Sequence, residues 1–331
     1  GRQEHGGRAA RGGRGREGMK QFLSMLWQTA FFFSILRITA PILFAALGAV
    51  VSEKAGCSNI GLEGIMMISA LFGALFSYWA QSWAVGVLAA VAFGALVAFL
   101  MGFFALRLKT DIILAGIAVN MIGDGGTQFF LYLFTGMSGS TSGLTTSKML
   151  IPTVRIPLIA DIPVVGEILS GHSVLTYAAF LMVLVLWVIL QKTPLGLNIR
   201  AVGENPNAAS SVGLSVTKYK YIALMMGGAL AGLGGAFMSM YYSQSWNVNM
   251  VAGRGFIALA AEAMGNHTPL GAMLSSLLFG LAQAVSIKVA GLGLSSDIVS
   301  AIPYAITIIG LAAYAAARIH GAKKARRRLS A

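Results

Sequence analysis

Residues 83–106 read WAVGVLAAVAFGALVAFLMGFFAL, a stretch with no ionisable side chain. About 20 consecutive apolar residues are enough for a helix to cross the hydrocarbon core of a bilayer. No water is available there, so the backbone must hydrogen-bond within its own segment, and the expected form is α-helix. The segments around it repeat the pattern. Spans are expected near 31–52, 60–79, 83–106, 111–135, 173–191, 218–242, 254–265, 268–289 and 297–317. Alternating ten-residue strands, the signature of a membrane barrel, are absent from the sequence. The fold class expected is all-α: a polytopic transmembrane helical bundle of about 8–10 segments.

Composition agrees. Of the 331 residues 56% are hydrophobic and 11% charged, against about 25% charged in soluble chains. The 41 glycines would weaken helices in water, yet in lipid small residues let helices approach closely. Gly227, Gly228, Gly232, Gly234 and Gly235 crowd into one span. The segment 254–265 is too short to cross alone and is expected to be broken or re-entrant. The stretch 20–52 is longer than one crossing needs, and Pro41 is expected to divide it into an interfacial helix and a shorter span.

The formal net charge is +13, but six of the 24 basic residues lie in positions 1–20 and six from Arg318 onward. Most others sit in short connections, such as Arg107 and Lys109, or Lys192, Arg200, Lys218 and Lys220. That is the positive-inside pattern of membrane proteins, so these connections are placed in the cytoplasm and no nucleic-acid partner is expected. Residues 1–19 read as a disordered basic extension, 20–318 as the transmembrane domain and 319–331 as a basic cytoplasmic tail. Three spans before Arg107 put the N-terminus outside unless 20–52 crosses twice, 60–79 crosses incompletely or the extension is foreign. The connection 136–172, with Gly136, Gly139, Gly143, Pro152, Pro157 and Pro163 between Ser and Thr, is external loop with one short helix. It suits either contact with a delivery protein or a packed lid.

Enzymatic chemistry has little to stand on. There is no phosphate-binding G-x-x-x-x-G-K-[ST], no H-E-x-x-H and no G-x-S-x-G. The four histidines are scattered, and Cys57 is alone. No cofactor and no metal site are expected. What does stand out is polarity at membrane depth, where ionisable groups are expensive and face cavities. Glu63, Asp124 and Glu262 are the carboxylates. Asn120, Asp124 and Gln128 recur every four residues and are expected on one face of a helix, lining a polar interior or making an interhelical hydrogen-bond cluster. Asn59 and Glu63 lie in the Gly-punctuated NIGLEG of 59–64. Glu262 is expected at the matching place of a weak second repeat, 253–265 followed by 269–289. An ion-coupled secondary carrier would also place carboxylates there.

The cytoplasmic segment 192–217 contains TPLGLNIRAVGENPNAASSVGLSV (193–216). Asn205 before Pro206 is a helix start: a capping side chain, then proline at the first helical position. The helix is expected to run through Ala208 and Ala209 and stop near Gly213. From the residues alone it is either a docking helix or an inert loop.

Here the sequence resembles a known family. Gly203, Glu204 and Asn205 with Ala208, Ala209 and Gly213 look like the ATPase-coupling segment of ABC importer permeases of the ribose and branched-chain amino-acid type. Residues 255–260 (GFIALA), Gly265 and 269–271 (PLG) resemble the family's later signature, and NIGLEG resembles the branch associated with nucleoside or simple-sugar uptake. The resemblance covers roughly 40–315. It departs at 261–267 (AEAMGNH), where relatives carry smaller or apolar residues, which leaves the solute open between nucleoside and ribose-like sugar. The resemblance implies a permease of the bacterial inner membrane without enzymatic activity of its own. Its implied partners are cytoplasmic ATPase subunits, a second related permease and an extracytoplasmic binding protein. Glu63, Asn59, Asn120, Asp124, Gln128 and Glu262 become candidates for the substrate pathway.

Overall fold

A computed structural model of the chain describes residues 28–157, 162, 164–290, 305 and 312. The extension at 1–19 and the tail at 319–331 lie outside the described residues, as does the expected span 297–317 apart from positions 305 and 312. Among the described residues the secondary structure is helical, with two isolated β-bridges.

The helices are α1 (Thr29–Lys54), α2 (Leu62–Ala80), α3 (Trp83–Gly102), α4 (Ile112–Met121), α5 (Thr127–Thr135), α6 (Val165–Leu169), α7 (Val174–Lys192), α8 (Pro194–Glu204), α9 (Pro206–Ser211), α10 (Val216–Phe237), α11 (Arg254–Met264) and α12 (Pro269–Ala290). Three π-helical turns extend or join them: Phe103–Arg107 after α3, Ile122–Gly126 between α4 and α5, and Met238–Tyr242 after α10. Six helices are long and apolar enough to cross a membrane: α1, α2, α3 with its π turn, α7, α10 with its π turn, and α12. The run α4–π–α5 covers 112–135 as an interrupted helix. The protein is a multi-pass membrane protein.

Two expectations need correction. Pro41 does not divide the first segment: α1 is one helix of 26 residues with Pro41 inside it. The missing amide hydrogen bond is tolerated because neighbouring helices pack around it within a bundle; α10 is close here, since a Cβ on Gly234 would lie 3.1 Å from the Pro41 carbonyl oxygen. A double crossing by this segment is thereby removed. The connection 136–172 also holds more helix than expected, with 3₁₀ turns at Ser142–Leu144 and Ser147–Met149 as well as α6.

The described chain clusters into two units. In the smaller, which includes Gly1–Ile38 and Arg155–Gly171, the Thr29 hydroxyl donates to Glu167 at 2.6 Å. The larger, Thr39–Val154 with His172–Phe279, holds the core: Leu43, Leu47, Leu62, Ile65, Leu71 and Phe237 are fully buried. The loop 136–149 is tied to the chain after α10 by a pairing far apart in sequence. The Thr141 amide donates to the Trp246 carbonyl at 2.9 Å, and the Trp246 amide donates to the Thr141 hydroxyl at 2.8 Å.

The centre of this unit is backbone against backbone. A Cβ on Gly228 of α10 would sit 2.3 Å from the Gly94 carbonyl oxygen of α3. One on Gly235 would sit 2.3 Å from the Met66 carbonyl oxygen of α2, and one on Gly227 2.7 Å from the Gly48 carbonyl oxygen of α1. Lipid is as apolar as leucine, so close packing replaces the hydrophobic effect as the force between such helices.

Cys57 lies between α1 and α2 and is 2% exposed. Burial pushes its thiol up from the usual range, against the pull of Lys220, and Glu53 adds to the rise. A raised thiol holds less of the reactive thiolate at neutral pH. Maleimide labelling of the folded protein at pH 7 is expected to run at least about tenfold slower than after denaturation in SDS. Equal rates would show that the thiol is reachable.

Candidate functional site

Glu63 is the second residue of α2, and its carboxylate reaches the start of α11. One oxygen accepts from the Gly253 amide at 2.8 Å, and the other from the Gly255 amide at 2.6 Å. No side chain of α11 itself caps that terminus, so Glu63 does the capping from another helix. The first amides of a helix have no partner within it and carry its partial positive charge, so a carboxylate is the fitting acceptor. The approach requires glycine: a Cβ on Gly255 would lie 2.5 Å from the Glu63 nitrogen. Arg254, between the two glycines, is 7% exposed. Its guanidinium donates to the Val251 carbonyl at 2.9 Å and the Met250 carbonyl at 3.3 Å, and it lies over the Tyr242 ring. It thereby ties down the non-helical chain that leads into α11.

Asn120 holds the other side of the same junction. Its side-chain oxygen accepts from the Gly64 amide at 2.8 Å, and its amide group donates to the Ile60 carbonyl at 3.0 Å. Asn59 is buried, and its side-chain oxygen accepts from the Gly61 amide at 3.1 Å, shaping the turn into α2. The structure therefore brings Asn59, Glu63 and Asn120 together around the start of α2.

Asp124 and Gln128 do not join them. Asp124 sits inside the π turn Ile122–Gly126, and both residues are exposed. The extra residue of a π turn rotates everything after it by about 100°, one residue's worth of a 3.6-residue turn. The single face expected for Asn120, Asp124 and Gln128 is lost for that reason. Gln128 donates to the Asp124 carbonyl within its own helix, at 3.1 Å.

Glu262 is likewise elsewhere. It is the ninth residue of the eleven in α11, at the opposite end from the Glu63 clasp, so it is not the counterpart of Glu63 that the repeat suggested. It is 5% exposed and pairs with Nδ1 of His267 in the turn before α12. His267 opens onto a cavity of about 450 Å³ whose other walls are Glu53 and Lys54 at the end of α1, and Leu197, Arg200, Ala201, Gly203 and Glu204 of α8.

The segment 192–217 folds as two short helices before α10. Thr193 caps α8 by accepting from the Gly196 amide at 3.2 Å, with Pro194 following. Asn205 caps α9 by accepting from the Ala208 amide at 3.0 Å, with Pro206 following. Gly213 closes the unit at φ 85°, a left-handed position that suits glycine. Residues Glu204–Ala208 are exposed, Ala209 is buried, and Val212 stands 77% exposed at the end. Gly203 has a packing role: a Cβ there would lie 2.1 Å from the Lys54 carbonyl oxygen.

Several residues were missed from sequence. Thr193-Pro194 carries the same start signal as Asn205-Pro206, so α8 was legible. Arg254 was legible too, as the one cation in the apolar segment 254–265. His267 carried no signal, because its partner is set by a turn.

Comparison with known proteins completes the description. A family model described as "Branched-chain amino acid transport system / permease component" matches residues 31–311. The chain is 37% identical over 289 residues to the guanosine ABC transporter permease protein NupQ of Bacillus subtilis, covering 83% of this chain and 88% of that one. It is 33% identical over 292 residues to the nucleoside ABC transporter permease protein NupC of Lactococcus lactis, covering 85% and 90%. It is 34% identical over 257 residues to the putative glucose ABC transporter permease protein TsgC13 of Haloferax volcanii, covering 77% and 76%. With its apolar crossings and a match over most of its length, the chain belongs to the family of branched-chain amino acid transport system permease components, the membrane-spanning subunits of ABC transporters.

Proposed function

We propose that this chain is the translocating subunit of a nucleoside importer in the bacterial cytoplasmic membrane. It works with two cytoplasmic ATPase subunits, a second related permease and an external substrate-binding protein. The observation that carries the reading is near full-length similarity to two permeases named for guanosine and nucleosides, at 37% and 33% identity. The geometry supports it. The exposed, capped α9 offers small side chains on the side where Lys and Arg collect, as a docking element would. The sequence has no phosphate-binding loop of its own, so nucleotide hydrolysis falls to the partners.

Transport needs a route with hydrogen-bond groups for ribose and base edges and an apolar or aromatic wall. Asp124 and Gln128 are exposed on the α4–α5 run, with Phe129 and Tyr132 exposed beside them at 62% and 64%. A second permease set against this run would enclose the four. Glu63, Asn59 and Asn120 then shape the route by fixing the start of α2. Sugar transport is the competing reading, favoured by the glucose-permease relative.

The test is uptake of labelled guanosine by cells expressing this chain with its ATPase and second permease. Competition by unlabelled nucleosides but not glucose, and insensitivity to an ionophore while ATP is maintained, are expected. Asp124→Ala is expected to raise the half-saturating concentration, and Asn205→Ala to lower the rate. Competition by glucose alone would transfer the protein to the sugar branch. Collapse with the ionophore at constant ATP would make it a secondary carrier. Unchanged affinity and rate in Asn120→Ala and Asp124→Ala would remove both from the route.

A further inference from the structure

The turn joining α11 to α12 holds two successive non-glycine residues in left-handed conformation, Asn266 at φ 53° and His267 at φ 55°. Few non-glycine residues adopt this region, although Asn and His do so more often than most, and two in succession need a turn that holds them. That hold comes from α11. The His267 amide donates to the Glu262 carbonyl at 3.2 Å, the Asn266 amide donates to the Ala263 carbonyl at 3.1 Å, and the His267 ring pairs with the Glu262 carboxylate. One member of that pair is buried. The other is 44% exposed in its side chain and reaches the cavity.

That cavity also contains Gly203 and Glu204, the first residues of the coupling motif. Its lining has two carboxylates (Glu53, Glu204), two cations (Lys54, Arg200) and one histidine, and no Phe, Tyr or Trp. Such a charged lining does not suit an acyl chain. It suits a charged protein segment carrying both signs. Helix α11 runs from this cavity to the Glu63 clasp, 11 residues or about 16 Å at 1.5 Å per residue, and each end is held by one carboxylate.

We infer that Glu262 and His267 are positioning residues for energy coupling. The cleft between His267 and Glu204 receives a surface segment of the ATPase subunit, and α11 carries the displacement of that segment to Glu63 and the start of α2. The surface that the ATPase engages is thus continuous with α9 but extends beyond it, onto a part of the chain some 60 residues later in sequence. The inference rests on the reading of this chain as an ABC permease.

The test uses the whole transporter, with both permeases and the ATPase subunits, in liposomes supplied with the binding protein. ATP hydrolysis and guanosine uptake are measured on the same vesicles. In His267→Ala and Glu262→Ala the complex is expected to assemble and hydrolyse ATP, while uptake per ATP falls about tenfold, within the usual range of coupling between sites. Glu262→Gln keeps an acceptor oxygen for the histidine N–H and is expected to restore the ratio. A merely structural role would lower assembly, hydrolysis and uptake together. Leu197→Trp fills the cleft from the opposite wall and leaves the pair intact, so it is expected to reduce coupling even if the alanine variants fold poorly. Wild-type ratios in Leu197→Trp or in both assembled alanine variants would overturn the inference and leave the importer reading standing. A wild-type chain that neither binds the ATPase subunits nor takes up guanosine with them would overturn both.

Discussion

Glu63→Ala is expected to be the most damaging single substitution in the described chain. It removes both acceptors of the α11 terminus, the oxygens 2.8 Å from the Gly253 amide and 2.6 Å from the Gly255 amide. Each buried donor left unpaired costs about 1–3 kcal/mol, so the two together cost about 2–6 kcal/mol. Water cannot replace the carboxylate easily, because Glu63 is only 8% exposed. Glu63→Gln keeps the shape and one acceptor oxygen but turns an NH2 group toward the second amide, so its loss should be about half as large. The order wild type, Gln, Ala is expected in the thermal midpoint of the detergent-solubilised protein and again in uptake rate. Equal midpoints for wild type and Glu63→Ala would show that the clasp contributes nothing. A fall in uptake with an unchanged midpoint would make Glu63 a transport residue first and a structural one second.

Gly228→Leu is expected to prevent the central helices from closing. Its Cβ would stand 2.3 Å from the Gly94 carbonyl oxygen and 2.4 Å from the Ala98 Cβ. The first of these is backbone and cannot rotate away, so α3 and α10 must separate. Overpacking costs about 1–3 kcal/mol where side chains can adjust, and more is expected where only a helix shift relieves the clash. Since packing supplies the attraction between helices in lipid, the separation also loses contacts along both helices. A sharp loss of monodisperse protein after solubilisation is the expected readout. Gly125→Ala is the control, because nothing lies within 4 Å of a Cβ there, and it should purify as wild type does. Equal yields for the two variants would contradict the close approach of α3 and α10.

The difference between Gly228 and Gly125 marks how far sequence can be read. Both are glycines in apolar or Gly-rich helical stretches, and periodicity does not distinguish them. The fold class and the helix start at Asn205-Pro206 were legible because each depends on neighbours in the chain. Residues 83–106 are long and apolar enough to cross, and Asn205-Pro206 starts a helix whatever surrounds it. The face of Asn120, Asp124 and Gln128 was misread because one π turn, Ile122–Gly126, shifts the helical phase, and nothing in a four-residue repeat announces it. Pro41 was misread in the opposite sense: a local breaker was overruled by the helices packed around it.

The sequence by itself determined that this is an all-α, multi-pass membrane protein with a capped helix starting at Asn205-Pro206. Hydropathy, capping and charge bias act over a few contiguous residues, so they are written in order along the chain. Only the tertiary structure decided that the Glu63 carboxylate caps a helix 190 positions away, that Asn120 holds the start of α2, and that Glu262 belongs with His267 at the far end of α11. The physical reason is that a buried polar group is satisfied by whichever partner packing brings within about 3 Å, and that partner is chosen by how helices cross, which no local pattern encodes.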